Sequence, residues 1–351
     1  MLKISKRQAL ILQFIRKNKN TPNQAIKEYL EKINDEILSR VTVVRDIDKL
    51  LKLKLVERIG KGRNVAYKEY LSNELLAFFE AEQYFLKGPD ARELKFSRFN
   101  YNIFSKLAGL FSKAELSELE KLNKEYQERI KKMPEAILKK EIERLMIELS
   151  WKSSQIEGNT YSLIDTEILI KEKREASGHK REEAIMILNH KAALDYIFSE
   201  KKQTKKLSIR FIENIHELLI KNLNINKGLR KNTVGITGTS YRPLDNQHQI
   251  REALEKMVKA INKLKSPIEK SLTANLMVAY IQPFEDGNKR TSRLTGNALL
   301  LASGYCPLSF RSIDEGDYKK AMILFYEQNS ARLFKELFIE QFKFSLDNYF
   351  K

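Results

Sequence analysis

An interruption between two helical runs is the feature that most constrains this chain. Residues 268–281 are strongly helical in pattern, and Pro283 ends that run, because proline lacks a backbone N–H and its ring clashes with the preceding turn. A second run with helical spacing begins at Asn288. Only a short connection separates the two runs, so we expect a tight loop that opens onto the N-terminus of the second helix.

This connection has the composition of an anion site. Glycine at position 287 permits unusual backbone angles, and exposed N–H groups at a helix N-terminus bind phosphate oxygens. The residues expected to cradle phosphates are Gly287, Asn288 and Lys289. Arg290 and Arg293 follow at the start of the helix and can add bidentate contacts to a polyphosphate. Asp286 is placed to hold a magnesium ion that bridges the phosphates.

The whole string has a family resemblance. Residues 282–293 read Gln-Pro-Phe-Glu-Asp-Gly-Asn-Lys-Arg-Thr-Ser-Arg. This resembles the signature of the Fic family, His-Pro-Phe-x-Asp/Glu-Gly-Asn-Gly/Lys-Arg-x-x-Arg, at nearly every position except the first. Enzymes of that family transfer a nucleotide phosphoryl group, usually AMP from ATP, to a hydroxyl side chain of a target protein. The resemblance implies ATP and Mg²⁺ as ligands, a target with a Ser, Thr or Tyr hydroxyl, and catalytic positions at Gln282, Asn288 and Arg290.

Two other stretches extend the resemblance over roughly residues 145–345. Residues 231–243 read as a short hairpin and look like the family's flap, which holds the target segment by strand addition. The flap residues implied are Val234, Gly235, Ile236, Thr237 and Gly238. Residues 153–158 are similar to the inhibitory motif Ser/Thr-x-x-x-Glu-Gly/Asn, with Ser153 first and Glu157 as the glutamate. The resemblance implies that Glu157 pairs with Arg293 and keeps the γ-phosphate from a productive position, because carboxylate and phosphate compete for one guanidinium.

The first signature position departs from the family. There the family has a histidine that accepts the proton of the target hydroxyl, whereas this chain has Gln282. A carboxamide can orient a hydroxyl but cannot accept its proton. Three explanations stay open: a weak or silent member that senses nucleotide, a base supplied by His248 or Asp286, or a glutamine introduced to trap a complex. Nucleotide binding is expected to survive in each case.

Lys289 is a second departure, since the commoner signature has glycine there. A similar Asn-Lys-Arg occurs in the Doc toxin branch, in which the nucleotide binds turned around and the γ-phosphate is transferred. Kinase-type transfer is therefore an alternative to AMP transfer. A second alternative is a non-enzymatic, ATP-sensing transcriptional regulator.

The first 72 residues have a separate pattern and an excess of positive charge. They hold 17 lysines and arginines against 8 aspartates and glutamates, a net of +9 out of +18 for the chain. Three amphipathic helices followed by a hairpin with a basic tip resemble a winged helix-turn-helix, whose third helix enters the major groove of DNA. The contacting residues would be Thr42, Arg45, Lys49, Lys61 and Arg63. The alternative is that this segment binds protein or a second copy of the chain.

Composition completes the expectation. Thirteen glycines, seven prolines and long apolar repeats at helical spacing indicate a mainly α protein: a Fic-type helical domain with a short β-hairpin flap, preceded by a small α+β winged-helix domain. The expected division is 1–72, a helical connector at 73–135, and the Fic domain at 136–351 with the inhibitory helix near 145–158. One cysteine excludes an internal disulfide and a Cys-cluster zinc site. We expect a cytoplasmic protein, without membrane contact, that binds DNA and forms a homodimer.

Overall fold

The computed structural model describes residues 4–18, 20–35, 37–200 and 206–351, and for Asn34 and Arg63 the main chain alone. Helices dominate these residues, as the sequence predicts. The chain divides into two compact units, Met1–Leu86 and Lys87–Lys351.

The first unit combines helices with a small antiparallel sheet. Its elements are α1 (Lys6–Lys17), β1 (Thr21–Pro22), α2 (Asn23–Asn34), α3 (Arg40–Lys52), β2 (Val56–Ile59), β3 (Ala66–Glu69) and α4 (Ala81–Phe85). The strand order is β1-β3-β2. Ile11 of α1, Ile26 of α2 and Ile47 of α3 meet in one apolar core. Burial of these side chains stabilises the unit by roughly 2 kcal/mol each.

The second unit is a helical assembly. Its helices are α5 (Lys113–Lys132), α6 (Glu135–Gln155), α7 (Leu163–Glu172), α8 (Arg181–Ser199), α9 (Ile209–Leu219), α10 (Gln247–Lys263), α11 (Pro267–Ile281), α12 (Asn288–Ala302), α13 (Glu315–Gln328) and α14 (Arg332–Asn348). Part of the predicted connector packs into this unit, because α5 lies against α14.

The hairpin formed by α11 and α12 is the centre of the second unit. α11 is buried on all sides, which is why its sequence is apolar around the whole helix. α12 also contacts α6, α8 and α9. Gly296 allows the two helices to approach closely, since a Cβ there would stand 1.9 Å from the Asn275 side chain. This packing fixes the start of α12 in the interior of the unit.

The segment 231–243, called here the flap segment, differs from the expected hairpin. It has a turn at 237–238 with no strand on either side, so no ladder forms within this fully described segment. Its carbonyls at Asn232 and Gly238 accept instead from the side chains of Arg230 and Arg92, which lie outside the segment. Its end instead pairs with an earlier stretch of chain, through a parallel bridge between Arg98 and Arg242.

Within the described ranges, no helix combines the length and the apolar character needed to cross a bilayer.

Candidate functional site

The loop between α11 and α12 is a rigid turn stabilised by its own asparagine. Gln282 ends α11 with φ 51°, and Gly287 precedes α12 with φ 77°, both in the left-handed region. The Phe284 N–H donates to Asn288 Oδ1 at 2.9 Å, and Asn288 Nδ2 donates to the Phe284 carbonyl at 2.8 Å. The side-chain amide of Asn288 therefore closes the loop. The group of Asn288 that is left for the predicted phosphate contact is its main-chain N–H.

His216 supports the other face of the loop. Its ring stacks on Phe284 with centroids 3.7 Å apart and planes at 4°. Its Nε2 lies 3.0 Å from the Asp286 carbonyl, which requires the proton on Nε2. Burial lowers the pKa of His216 to about 4, so the ring is neutral at pH 7. His216 thus orients the loop and does not carry a charge to it.

Arg230 binds the beginning of the loop from the flap side. This buried guanidinium donates from Nε to the Gln282 carbonyl at 2.6 Å and from Nη1 to the Asn232 carbonyl at 2.8 Å. It also donates to the Leu244 carbonyl. The Arg230 N–H donates to the Pro283 carbonyl at 3.0 Å. The Arg230 side chain therefore connects the loop between α11 and α12 to Asn232 in the flap segment and to Leu244 just after it.

Arg290 is buried with unused donors. Its Nη2 donates to Asp286 Oδ2 at 3.2 Å, while Nε and Nη1 have no hydrogen-bond partner among the described residues. Burial lowers the pKa of Arg290, although Asp286 and Glu157 act in the opposite direction. An unpaired buried donor costs about 1–3 kcal/mol, more for a charged group. Arg290 therefore keeps two buried donor nitrogens that the described residues leave unpaired.

Arg293, one turn further along α12, is bound by Ser153 near the end of α6 and by Glu157 just after it. It donates from Nη1 to Glu157 Oε1 at 2.9 Å, from Nε to Ser153 Oγ at 3.0 Å, and from Nη2 to the Ser153 carbonyl at 2.8 Å. Its guanidinium also lies 5.3 Å from the centroid of the Tyr318 ring. The contact that the inhibitory-motif resemblance implies between Glu157 and Arg293 is present.

Glu157 has a second cationic partner. Lys289 Nζ lies 3.5 Å from Glu157 Oε2. Burial alone would raise the pKa of Glu157, but the charges of Arg293 and Lys289 hold it below its ordinary value. Glu157 is therefore ionised at neutral pH and bridges two cations at the start of α12.

A cavity of about 200 Å³ brings these parts together. The lining comes from Gln282 and residues 285–289 at the loop and the start of α12, from Glu157 just after α6, and from Val234 to Thr237 in the flap segment. Four predicted site residues lie outside this lining: Ser153, Gly238, Arg290 and Arg293. Most of the predicted site residues therefore surround one opening, although they come from three distant parts of the sequence.

The turn of the flap segment is anchored by a buried ion pair. Arg92 donates from Nη2 and Nε to the carboxylate of Glu327, at 2.8 and 3.0 Å. Arg92 also donates to the Gly238 carbonyl, and Thr239 Oγ1 donates to Glu327 at 2.6 Å. The position of the flap segment thus depends on residues 92 and 327, far from it in sequence.

The residues considered as a base lie in different places. Gln282 is buried at the cavity, and its Nε2 donates to the Ala279 carbonyl at 2.7 Å. His248 is exposed on the first turn of α10 and does not line this cavity. Asp286 lines it with a side chain that is 66% exposed and faces Arg290. Of the two proposed substitutes, Asp286 alone is at the opening.

Four residues of the site were not found from the sequence: Arg92, Arg230, Glu327 and His216, of which the last was considered structural. Each acts through contacts with residues more than 50 positions away or with main-chain carbonyls. Two of them, His216 and Glu327, could have been identified from the sequence as charged or titratable residues within an apolar helical pattern.

The DNA-contact candidates lie on the surface of the first unit. Arg45 and Lys49 are exposed one turn apart on α3, and Lys61 is exposed at the tip between β2 and β3. Thr42 is half-buried, and its Oγ1 lies 2.8 Å from Ser39 Oγ at the N-cap of α3. The side chain of Arg63 lies outside the described residues.

Residues 206–300, from the start of α9 into α12, match the model of the Fic/DOC family. The chain contains a Fic/DOC family domain. The Fic/DOC match includes the flap segment and the loop with Arg290 and Arg293, whereas Glu157 lies before it.

Known proteins with the Fic/DOC domain resemble a larger part of the chain. A protein adenylyltransferase Fic of Nematostella vectensis is 28% identical over 190 residues, 52% of this chain and 43% of that protein. One of Drosophila ananassae is 28% identical over 156 residues, 44% of this chain and 31% of that protein. The chain therefore spans less than half of the length of these curated relatives.

Solved structures show the same fold. Fic-1 (residues 134–508) of C. elegans aligns with a TM-score of 0.55 at 21% identity, covering 67% of this chain and 69% of that one. A Fic domain-containing signaling protein of Bacteroides thetaiotaomicron aligns with a TM-score of 0.54 at 19% identity, covering 66% and 96%. These likenesses establish the helical fold of the second unit's Fic/DOC domain.

Proposed function

We propose that this protein transfers AMP from ATP to a hydroxyl side chain of a target protein, that Glu157 inhibits the transfer, and that Gln282 weakens it. The names of the curated relatives, protein adenylyltransferase Fic, support this reaction class. The arrangement around α12 supports the inhibition.

The observation that carries the proposal is the contrast between the two arginines of α12. Arg290 is buried with two donor nitrogens that have no partner among the described residues, whereas Arg293 is bound by Glu157 at 2.9 Å. A triphosphate that reached Arg290 from the cavity would meet Glu157 where its last phosphate needs Arg293. Two anions compete for one guanidinium, so the carboxylate excludes the phosphate until it moves.

Each residue at the opening then has one role. The main-chain N–H groups of Gly287, Asn288 and Lys289 lie at the positive N-terminal end of α12 and bind the phosphates. Arg290 and Arg293 clamp the phosphates, and Asn288 and His216 hold the loop that presents these groups. Residues 234–237 of the flap segment line the cavity and make no main-chain hydrogen bond among the described residues, so they accept the target segment as an added strand.

The donor set fits a magnesium ion carried in with the nucleotide. Asp286 has an exposed carboxylate at the opening, and Mg²⁺ is commonly held by one or two carboxylates together with substrate phosphates. Bound there, Mg²⁺ would neutralise part of the phosphate charge. Among the described residues no cluster of three metal-ligating side chains exists, so the ion would depend on the nucleotide.

Gln282 limits the chemistry, because its carboxamide cannot accept the proton of the attacking hydroxyl. Loss of a general base lowers the rate by about 10²- to 10⁴-fold. We expect ATP binding to persist and transfer to be slow. The test is incubation with α-labelled ATP of four forms: the natural sequence, Glu157→Gly, Gln282→His and the double variant.

Labelled protein should be strongest for the double variant, at least 100-fold above the natural sequence, and intermediate for the single variants. No label on the double variant would overturn the transferase proposal. The same samples with γ-labelled ATP separate the kinase-type alternative, since AMP transfer leaves the γ-phosphate in pyrophosphate. Label from the γ-phosphate alone would establish that alternative.

The block has its own measurement. Glu157→Gln removes the charge at similar size, and calorimetry with ATP and Mg²⁺ should show an affinity about tenfold higher, equal to about 1.4 kcal/mol. Glu143→Gln is the matched control, because Glu143 is exposed on α6, the helix that ends just before Glu157. Equal affinities for the two variants would contradict inhibition by Glu157.

The first unit supports a second function, a winged helix that binds DNA while the Fic/DOC domain senses ATP. Arg45 and Lys49, both exposed on one face of α3, support DNA contact together with the basic tip after β2. Binding of ATP without any transfer by the double variant Glu157→Gly, Gln282→His would favour this regulator over the enzyme.

A further inference from the structure

A second, larger cavity adjoins the flap segment. Its volume is about 560 Å³, and it shares Val234 and Gly235 with the loop cavity. Arg98 and Arg242 line it with exposed side chains that have no ion-pair partner among the described residues. The Arg242 N–H donates to the Ser97 carbonyl at 2.8 Å, which fixes the two main chains side by side. Two free guanidiniums therefore stand next to the proposed target-binding strand.

A third cavity of about 350 Å³ continues along α10. Its apolar lining comes from residues such as Leu107 and Leu264, and its charged lining is Lys256, Lys259 and Lys263. These lysines share a face of α10 with Gln249, which lines the second cavity, because the spacings are close to whole helical turns. The path from Gln249 to Lys263 is about 21 Å long at 1.5 Å per residue.

The charge along this path is strongly positive. We call Arg98, Arg242, Lys256, Lys259 and Lys263 the basic track. The opposing carboxylates nearby are Asp245 in the second cavity and Glu252, which binds Lys256 at 2.7 Å. Lys259 and Lys263 are exposed and have no ion-pair partner among the described residues. The track thus keeps several uncompensated cations in a row.

We propose that the basic track receives an acidic segment of the same target protein whose hydroxyl is held at the flap. This inference rests on the proposed transfer reaction. The second cavity joins the track to the flap through Val234 and Gly235, and an extended peptide of about six residues, at roughly 3.3 Å per residue, spans the part of the track between Gln249 and Lys263. The target is thereby a protein with clustered aspartates or glutamates within about ten residues of the modified hydroxyl.

A peptide fits the track better than a nucleic acid does. Apolar floors between the cations accept side chains, whereas single-stranded nucleic acids need open aromatic faces for stacking. The aromatic rings that line the two cavities, Phe99 and Phe104, are half-buried, and Phe99 is stacked on Tyr280 with centroids 4.7 Å apart. The unpaired main chain of the flap also offers strand pairing, which a peptide alone can use.

The test measures binding of fluorescein-labelled peptides to the full chain by anisotropy. Two twelve-residue peptides carry a central Thr and four Glu, on its N-terminal or on its C-terminal side, and a third has Gln in place of each Glu. A 20-residue oligothymidylate is the nucleic-acid probe. The variants are Arg98→Glu with Arg242→Glu, and Lys259→Glu with Lys263→Glu. Lys121→Glu with Lys124→Glu is the matched control, since both lysines are exposed on α5.

We expect one acidic peptide to bind at least tenfold more tightly than the Gln peptide. Each track variant should lower that affinity at least fivefold, and the control should leave it unchanged. Equal binding of acidic and neutral peptides, or equal loss in the control, overturns the proposal. Oligothymidylate that binds more tightly than both acidic peptides, with the same dependence on the track, overturns it in favour of nucleic acid.

Calorimetry with ATP and Mg²⁺ on the Glu157→Gln form keeps the two proposals apart. The track variants should retain its ATP affinity within twofold, because the track does not line the loop cavity. Acidic peptide binding without ATP binding would support the basic-track proposal and contradict the transferase proposal. ATP-dependent labelling without any preference for acidic peptides would support the transferase proposal and contradict the basic-track proposal.

Discussion

At the scale of single residues, the two buried arginines of α12 have opposite energetic situations. Arg293 has partners for its donors in Ser153 and Glu157, whereas Arg290 has two nitrogens without partners among the described residues. Replacement of Arg293 leaves buried acceptors unpaired. Replacement of Arg290 leaves the exposed Asp286, which water can solvate.

We therefore expect Arg290→Met to raise or preserve the free energy of unfolding and to abolish ATP binding. Arg293→Met should lower the free energy of unfolding by about 3–5 kcal/mol, because it strands the charge of Glu157. Urea denaturation at pH 7 measures both variants, and calorimetry measures ATP binding. Equal destabilisation by the two substitutions would show that Arg290 is a structural residue and not a reserved anion ligand.

His216 gives the fold a dependence on pH. Its pKa falls from an ordinary 6.5 to about 4 on folding, so below pH 6.5 the unfolded state binds the proton more readily than the folded state. Stability is then complete above pH 6.5 and declines as the pH falls toward 4. His216 contributes about 2 kcal/mol to the loss of unfolding free energy between pH 6.5 and pH 5.

The variant His216→Gln keeps a donor for the Asp286 carbonyl but does not titrate. We expect its free energy of unfolding to fall less steeply between pH 7 and pH 5 than that of the natural sequence, by about 2 kcal/mol. Urea denaturation at several pH values gives both curves. Parallel curves would mean that His216 does not titrate differently in the folded and unfolded states.

At the scale of elements, local signals predicted the central loop, and only partly the rest of the site. Pro283 and Gly287 determine where α11 ends and α12 begins, and the structure confirms both boundaries. The pair Glu157 and Arg293 was predicted through the family resemblance, since no local pattern links residues 136 positions apart. The ladder expected in the flap segment does not form; Arg230 and Arg92 instead donate to its carbonyls at Asn232 and Gly238, contacts that no local pattern indicates.

The flap segment provides the prediction at this scale. Glu327→Gln removes the negative charge that binds the buried Arg92 and weakens the contacts to Gly238 and Thr239. Amides of residues 233–241 should exchange with deuterium at least tenfold faster, which mass spectrometry of proteolytic fragments measures. Residues 288–302 of α12 serve as the internal reference. Faster exchange in both regions would indicate general destabilisation and not release of the flap.

At the scale of the whole molecule, half of the net charge belongs to the first 72 residues, a net of +9 out of +18. Long-range attraction to a polyanion follows from such an asymmetry, but it does not identify the contacting face. The first unit also exposes apolar side chains around the start of α3, with Ile37 92% and Val41 61% exposed. These residues support the alternative of contact with protein or with a second copy of the chain.

The two roles of the first unit are separable with variants of the full chain. We expect Arg45→Ala with Lys49→Ala to weaken binding to DNA from upstream of this protein's own gene at least tenfold. The slope of log affinity against log salt concentration should also become shallower, by the amount that about two phosphate contacts contribute. Lys6→Ala with Lys32→Ala is the control, because these exposed lysines lie on α1 and α2. Ile37→Ser with Val41→Ser should leave the DNA affinity unchanged and convert a dimer into a monomer by light scattering. DNA binding that survives loss of Arg45 and Lys49 but disappears with the apolar pair would mean that self-association, and not α3, creates the DNA surface.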